Sequence, residues 1–277
     1  MNPDQYCQEK AASSGSSFYY SFVFLPPEKR RAITAFYAFC REVDDIADEC
    51  SDTEIARVKL NWWRMEIANA ISGNPQHPVT QALLPAIREY DLHSEQFQEI
   101  IDGMEMDLTQ RRYADFKSLT LYCYRVASVV GQISASIFGY EDRHTLKYAH
   151  DLGLAFQLTN IIRDVGEDAS RGRIYLPQDE LKEFGVEERD ILSGHQTENF
   201  LRLMSYQIVR AQHYYDQALS SLPPVDRKNQ RPGLVMAAIY RTILDKIERN
   251  SGQVLEHRIS LPPLRKLWIA WRTWTKG

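Results

Sequence analysis

Asp44 and Asp48 stand four residues apart in the stretch REVDDIADE, Arg41 to Glu49, and Asp164 and Asp168 repeat the spacing in QLTNIIRDVGED. Residues four apart share one line of a helix, so each pair sets like charges against each other. Ala32, Ala35, Phe36, Phe39, Val43 and Ile46 give the first stretch the apolar spacing of an amphipathic helix, and LGLAFQLTN stands in the same relation to the second. Taken singly, either D-x-x-x-D string could be a solvated polar face. The apolar flanks weigh against that, because a buried carboxylate pair requires a cation or a proton. Both polar lines also extend further, through Tyr37 and Arg41 in the first and Gln157 and Asn160 in the second. Oxygen donors without His or Cys suit a hard cation, and a few carboxylates with room for water and phosphate suit Mg2+ better than Ca2+. With Arg41 and Arg163 beside the pairs, the chemistry indicated is binding of an anionic oxygen ligand, most naturally a diphosphate.

The elements that must position these residues are helices. Apolar period and Pro/Gly punctuation predict helices near 4–13, 27–49, 53–72, 78–89, 94–109, 118–138, 142–166, 199–221, 230–249 and 263–275. Pro26 and Pro27 with Glu28 mark one helix start. SGNPQHP (Ser72 to Pro78) and SLPPVDRKNQRPG (Ser221 to Gly233) read as loops. Neither has the character of a linker between domains, so residues 1–277 are expected to form one all-α domain.

Composition narrows the function classes. The 277 residues are 44% hydrophobic, ample for a large core, and a net charge of -4 gives no global reason to expect nucleic acid. Four cysteines lie far apart without C-x-x-C spacing and are expected to be reduced. The longest apolar runs, such as LVMAAIY, fall short of a membrane span. No H-E-x-x-H, G-x-x-x-x-G-K-[ST] or G-x-G-x-x-G signature supports zinc, ATP or nicotinamide chemistry, and the serines of ASSGSSFYY suit a turn and helix cap better than a nucleophile. Most of the 15 Tyr and 11 Phe belong to core packing. Tyr37, Tyr122, Tyr175 and Tyr240 suit the core equally well or, for a prenyl diphosphate, an aromatic wall facing a carbocation.

SGSSFYYSFVFLP, AFYAFCREVDDIADE, YCYRVASVVG and AFQLTNIIRDVGEDASRGRIYLP together resemble the squalene and phytoene synthases, over about Tyr6 to Pro262. The resemblance implies a helical bundle of the isoprenoid synthase type around a central apolar cavity. It makes Asp44, Asp48, Asp164 and Asp168 the carboxylates that bridge two or three Mg2+ ions, with Asn160 and Gln157 beside the second metal face. Arg41, Arg163 and Arg258 would hold diphosphate. Tyr122 would stand in the centre of the cavity, Tyr37 and Tyr240 near the reacting carbons, and Ser14 and Ser17 in an N-terminal flap over phosphate. The pattern departs at Ser14, where relatives often carry His.

YCQEKAASSGSSFYYSF and KLNWWRMEI (Lys59 to Ile67) look most like the bacterial presqualene diphosphate synthases of hopanoid biosynthesis. That implies condensation of two farnesyl diphosphates to presqualene diphosphate without NADPH, a downstream squalene-forming enzyme as partner, and a cytoplasmic location. A phytoene or dehydrosqualene synthase is the alternative, and a non-catalytic assembly factor of the same fold a distant one. The ending LPPLRKLWIAWRTWTKG holds three of the five tryptophans and no acid. Its last helix, 263–277, is expected either to pack on the core or to lie on the inner face of the cytoplasmic membrane, with Leu267, Trp271 and Trp274 on one face.

Overall fold

The structure, a computed structural model, describes residues 2–13 and 18–276. The chain runs α1 (Pro3–Ser13), α2 (Tyr19–Phe22), α3 (Pro27–Glu49), α4 (Thr53–Ile71), α5 (Pro78–Glu89), α6 (Ser94–Thr109), α7 (Phe116–Cys123) and α8 (Val129–Phe138). It continues through α9 (His144–Arg163), α10 (Val165–Ser170), α11 (Gln178–Phe184), α12 (Glu188–Leu192), α13 (Glu198–Ser221), α14 (Arg231–Glu248) and α15 (Pro263–Lys276). Among the described residues there is no strand, only an isolated bridge between Arg112 and Ile174. No helix among them is long and apolar enough to cross a membrane. The four cysteines are unpaired.

The helix starts have local causes. Pro26 is extended and Pro27 opens α3 with Glu28 in its first turn. Asp52 accepts from the amides of Glu54 and Ile55 at the start of α4, and Asp115 with Ser118 forms a capping box on α7. The expected helix 118–138 is interrupted by a π-helical turn, Tyr124–Ser128. The expected helix 142–166 divides at Asp164 (φ −103°, ψ 12°), so Asp168 belongs to α10 rather than to α9. The Gln157, Asn160, Asp164, Asp168 line is therefore bent, although the Asp168 amide still donates to the Asp164 carbonyl at 2.8 Å.

α9 is the central element, and its placement depends on two contacts. At its start the fully buried Asp226, from the 221–233 loop, accepts from the amides of Glu141 and Asp142 and from the Thr145 hydroxyl. That loop is thus a clamp, which its Pro-rich composition did not announce. Along its length α9 lies against α8 and the π turn with backbones almost touching. A Cβ on Gly131 would stand 2.5 Å from the Ala149 carbonyl oxygen, and one on Gly153 2.5 Å from that of Ala127.

The buried side chains fall into two apolar groups. One is built on α3 to α6 with α8, the other on α7, α9, α13 and α14. A cavity of about 820 Å³ draws its walls from both, with Tyr37, Ile100, Met104 and Phe138 on one side and Tyr122, Leu152, Met236 and Tyr240 on the other. Lining residues recur along α9 from Tyr148 to Asp164, a run of about 24 Å at helical rise.

Candidate active site

The mouth of the cavity is where the last turns of α3, α6 and α9 meet. Asp44 and Asp48 come from α3, Asp107 from α6, Asn160 and Asp164 from the end of α9, and Asp168 from α10; all line the cavity. Burial pushes the Asp44 carboxyl up to about 6, against the opposing pull of Arg41, with Asp48 and Asp107 adding to the rise. Burial, reinforced by Asp164, pushes Asp168 up to about 8. Each acid face thus holds a buried carboxyl whose charged form is disfavoured until a cation or a proton answers it.

Arginines answer most of that charge. Arg41 bridges Asp44 at 2.5 Å and also pairs with Asp45. Arg163 grips Asp164 through Nε at 2.7 Å and Nη2 at 2.6 Å, and Arg258 reaches the same carboxylate at 3.0 Å. Asp48 is held by Arg173 at 3.1 Å and Arg171 at 3.3 Å. Lys266, on α15, also faces the cavity, where burial and then Arg163 and Arg258 push its ammonium down.

The site residues expected from the sequence converge here wherever the structure describes them. Arg41, Tyr37, Tyr122, Gln157, Asn160, Arg163, Tyr175, Tyr240 and Arg258 all line the cavity. Ser14 and Ser17 lie outside the described residues. Asn160 donates to Gln157 Oε1 at 3.1 Å, and its own Oδ1 is buried with no partner among the described residues. No three acidic, His or Cys side chains gather among the described residues into a closed cage. Open faces of one or two carboxylates are what Mg2+ uses when phosphate completes its shell. The raised carboxyls of Asp44 and Asp168, the oxygen-only donors Asp48 and Asp164 and the orphaned Asn160 carbonyl are of the kind such an ion takes.

Sequence reasoning missed Asp107. The hydroxyls of Tyr122 and Tyr175 both donate to its carboxylate, at 2.9 and 2.7 Å, so the two rings stack with centroids 5.2 Å apart. Tyr113 stacks on Tyr175 at 5.8 Å from behind. Arg173 donates to the Asp107 carbonyl, linking this group to Asp48. Tyr175 reaches the site because Ile174 donates to the Arg111 carbonyl and Gln178 to that of Tyr113. Burial raises Asp107 to about 6, with the two tyrosine donors and Arg173 opposing. A signal was present: Asp107 follows Phe97, Ile100, Ile101 and Met104 on the buried stripe of α6. Asp107→Ala is expected to leave two buried hydroxyls without their acceptor, costing about 1–3 kcal/mol, and to lower kcat more than it raises KM. Chemical denaturation and steady-state kinetics check both.

Helical walls enclose a largely apolar cavity with acidic and basic side chains gathered at one end. The chain belongs to the squalene/phytoene synthase family of prenyltransferases, whose model matches residues 11–265. It is 35% identical to the 15-cis-phytoene synthase of Synechocystis sp., over 96% of this chain and 83% of that one. Identity to the 15-cis-phytoene synthase of Synechococcus elongatus is 36%, over 94% and 89%. Among solved structures, a dehydrosqualene synthase in complex with ligand superposes with a TM-score of 0.90 at 26% identity, covering 99% of this chain and 96% of that one. A squalene synthase from Alicyclobacillus acidocaldarius gives 0.80 at 28%, over 90% and 94%.

These relatives overturn the expected presqualene diphosphate product in hopanoid biosynthesis, because curated relatives at 35–36% identity are named phytoene synthases. Of the two stretches that suggested the narrower assignment, Lys59 to Ile67 on α4 contribute nothing to the cavity wall, and Tyr6 to Phe22 contribute Phe18 and Ser21 among the described residues.

Proposed function

We propose that this chain condenses two geranylgeranyl diphosphates head to head, releasing diphosphate, as a phytoene synthase. The observation that carries the reading is the long apolar cavity along α9, closed by a charged mouth, in a chain 35–36% identical to phytoene synthases. Its volume lies at the upper end of the ~300–1,000 Å³ usual for ligand pockets, in keeping with long prenyl chains.

Arg41, Arg163 and Arg258 are placed to bind phosphate oxygens, exchanging an aspartate partner for the ligand. Mg2+, held by Asp44, Asp48, Asn160, Asp164 and Asp168, would supply charge neutralisation of the leaving diphosphate. The stacked faces of Tyr122 and Tyr175, and the rings of Tyr37 and Tyr240, offer negative surface to a developing allylic cation. Because both hydroxyls of the stacked pair are committed to Asp107, the rings present faces rather than nucleophilic oxygens. The apolar wall, including Leu152, Phe156 and Ile243, excludes water that would quench the cation.

The test is incubation with geranylgeranyl or farnesyl diphosphate and Mg2+, followed by mass spectrometry. Phytoene from the C20 substrate is the expected result, abolished by EDTA and restored by Mg2+. Turnover of farnesyl diphosphate alone would replace this reading with that of a dehydrosqualene synthase, and full activity in EDTA would remove the metal assignment.

A further inference from the structure

α15 is apolar on two opposite faces. Ile269 and Ala270 are buried, and the helix packs against α14 and α2, with Trp274 seated on Phe24 at 5.4 Å. The expected face of Leu267, Trp271 and Trp274 is therefore divided, because Trp274 turns toward the core. On the outward side Leu264, Leu267, Trp268 and Trp271 follow one another at i, i+3, i+4 and i+7, and they are 81%, 40%, 54% and 57% exposed. Val23 and Phe24, just after α2, are exposed as well. Arg265 and Arg272, seven residues apart, form an exposed basic edge to this face, and Arg272 lies over the Trp268 ring at 5.1 Å. No acidic residue occurs from Arg258 to the last residue.

We propose that this face of α15 docks on an anionic lipid bilayer, lying in the interface without crossing it. Tryptophans with an adjoining row of arginines match the boundary between acyl chains and negative headgroups, whereas the same acid-free helix of a second copy would set arginine against arginine. The docked helix borders the cavity, since Lys266 and Leu261 line it from the same segment. An apolar product would thus leave the protein beside hydrocarbon rather than water. The docking stands on the surface of α15 alone and does not depend on which prenyl diphosphate the enzyme uses.

The experiment is flotation of the full chain with vesicles of phosphatidylcholine, with and without about a quarter phosphatidylglycerol. Binding to the anionic vesicles, weakened by added salt, is the expected result. The variant Leu264→Ser, Trp268→Ser, Trp271→Ser should bind about ten-fold less or worse, with turnover in detergent unchanged because none of the three lines the cavity. A second variant, Arg265→Gln with Arg272→Gln, keeps the apolar face and should lose only the preference for phosphatidylglycerol. Equal flotation of the wild type and the triple variant would overturn the proposal. So would a wild type that stays in solution with both vesicle types. A concentration-dependent dimer dispersed by the triple substitution, without vesicle binding, would assign the face to a second copy instead.

Discussion

Asp168→Asn is expected to abolish most turnover while making the metal-free protein more stable. The loss should reach about 10²- to 10³-fold, the scale seen when one group opposing charge in the transition state is removed. The gain in stability follows from the raised carboxyl. Its folded pKa, about 8, lies above the ordinary 3.8, so the folded state favours the protonated acid. Stability from this group is complete at low pH and is lost as pH rises toward about 8. An amide carries no charge, so in EDTA the variant should hold its Tm across that window while the wild type declines. Asp164→Asn is the contrasting case. It would cost activity too, but Asp164 accepts two bonds from buried Arg163 and pairs with the charge of Arg258, and removing that charge strands a buried guanidinium. Thermal melts of the two variants at pH 5 to 8 should therefore move in opposite directions. Identical shifts would contradict the pairing.

Gly153→Ala should be among the most damaging small substitutions in the protein. The added methyl would meet the Ala127 carbonyl oxygen at 2.5 Å, the Ser128 Cα at 2.7 Å and the Ala127 carbonyl carbon at 2.8 Å. All three are backbone atoms, so no side chain can rotate out of the way. The helices must separate, at an expected cost of about 3 kcal/mol or more, which lowers Tm by roughly 6–12 °C in a chain of this size. Activity should fall further than stability requires, because α9 carries Gln157, Asn160 and Asp164 on the same rigid rod. Gly194→Ala provides the control. That glycine has φ +68° but open surroundings, so only backbone strain of about 1–2 kcal/mol is expected. Differential scanning calorimetry of both variants measures the difference.

The acidic faces were legible because each is written within one short stretch: Asp44 and Asp48 on α3, Asn160 and Asp164 at the end of α9. Helix boundaries were legible for the same reason, since caps such as Asp52 and Pro27 act on their immediate neighbours. What stayed hidden is long-range. Arg173 meets Asp48 across 125 residues, and Tyr175 meets Asp107 across 68, in pairings that no local period encodes. Asp107 itself could have been noticed as a carboxylate on an apolar stripe, but its two tyrosine donors could not. The bend at Asp164 was hidden too. α10 is held by the approach of Gly166 to the backbone of Val254 and Leu255, far along the chain. The product assignment rested on two stretches that supply little of the cavity wall, Lys59 to Ile67 none of it and Tyr6 to Phe22 only Phe18 and Ser21 among the described residues.

Around the mouth, Arg41, Arg163, Arg171, Arg173, Arg258 and Lys266 face Asp44, Asp48, Asp107, Asp164, Glu167 and Asp168, so once pH passes about 8 and Asp168 too is ionised, cation matches anion. A mouth so balanced projects little net field into solvent, so it cannot draw in a diphosphate, or repel one, from beyond a Debye length of ~8–10 Å. Encounter is then governed by diffusion and by the apolar tail, and the association rate of a prenyl diphosphate should change little with ionic strength. Selection occurs only after arrival. A lone divalent cation meets arginines already seated on Asp44, Asp48 and Asp164, and a lone diphosphate meets carboxylates already seated on Arg41, Arg163 and Arg258. Each must displace what the other would release, so the two enter most readily together, and the affinity for one rises with the concentration of the other.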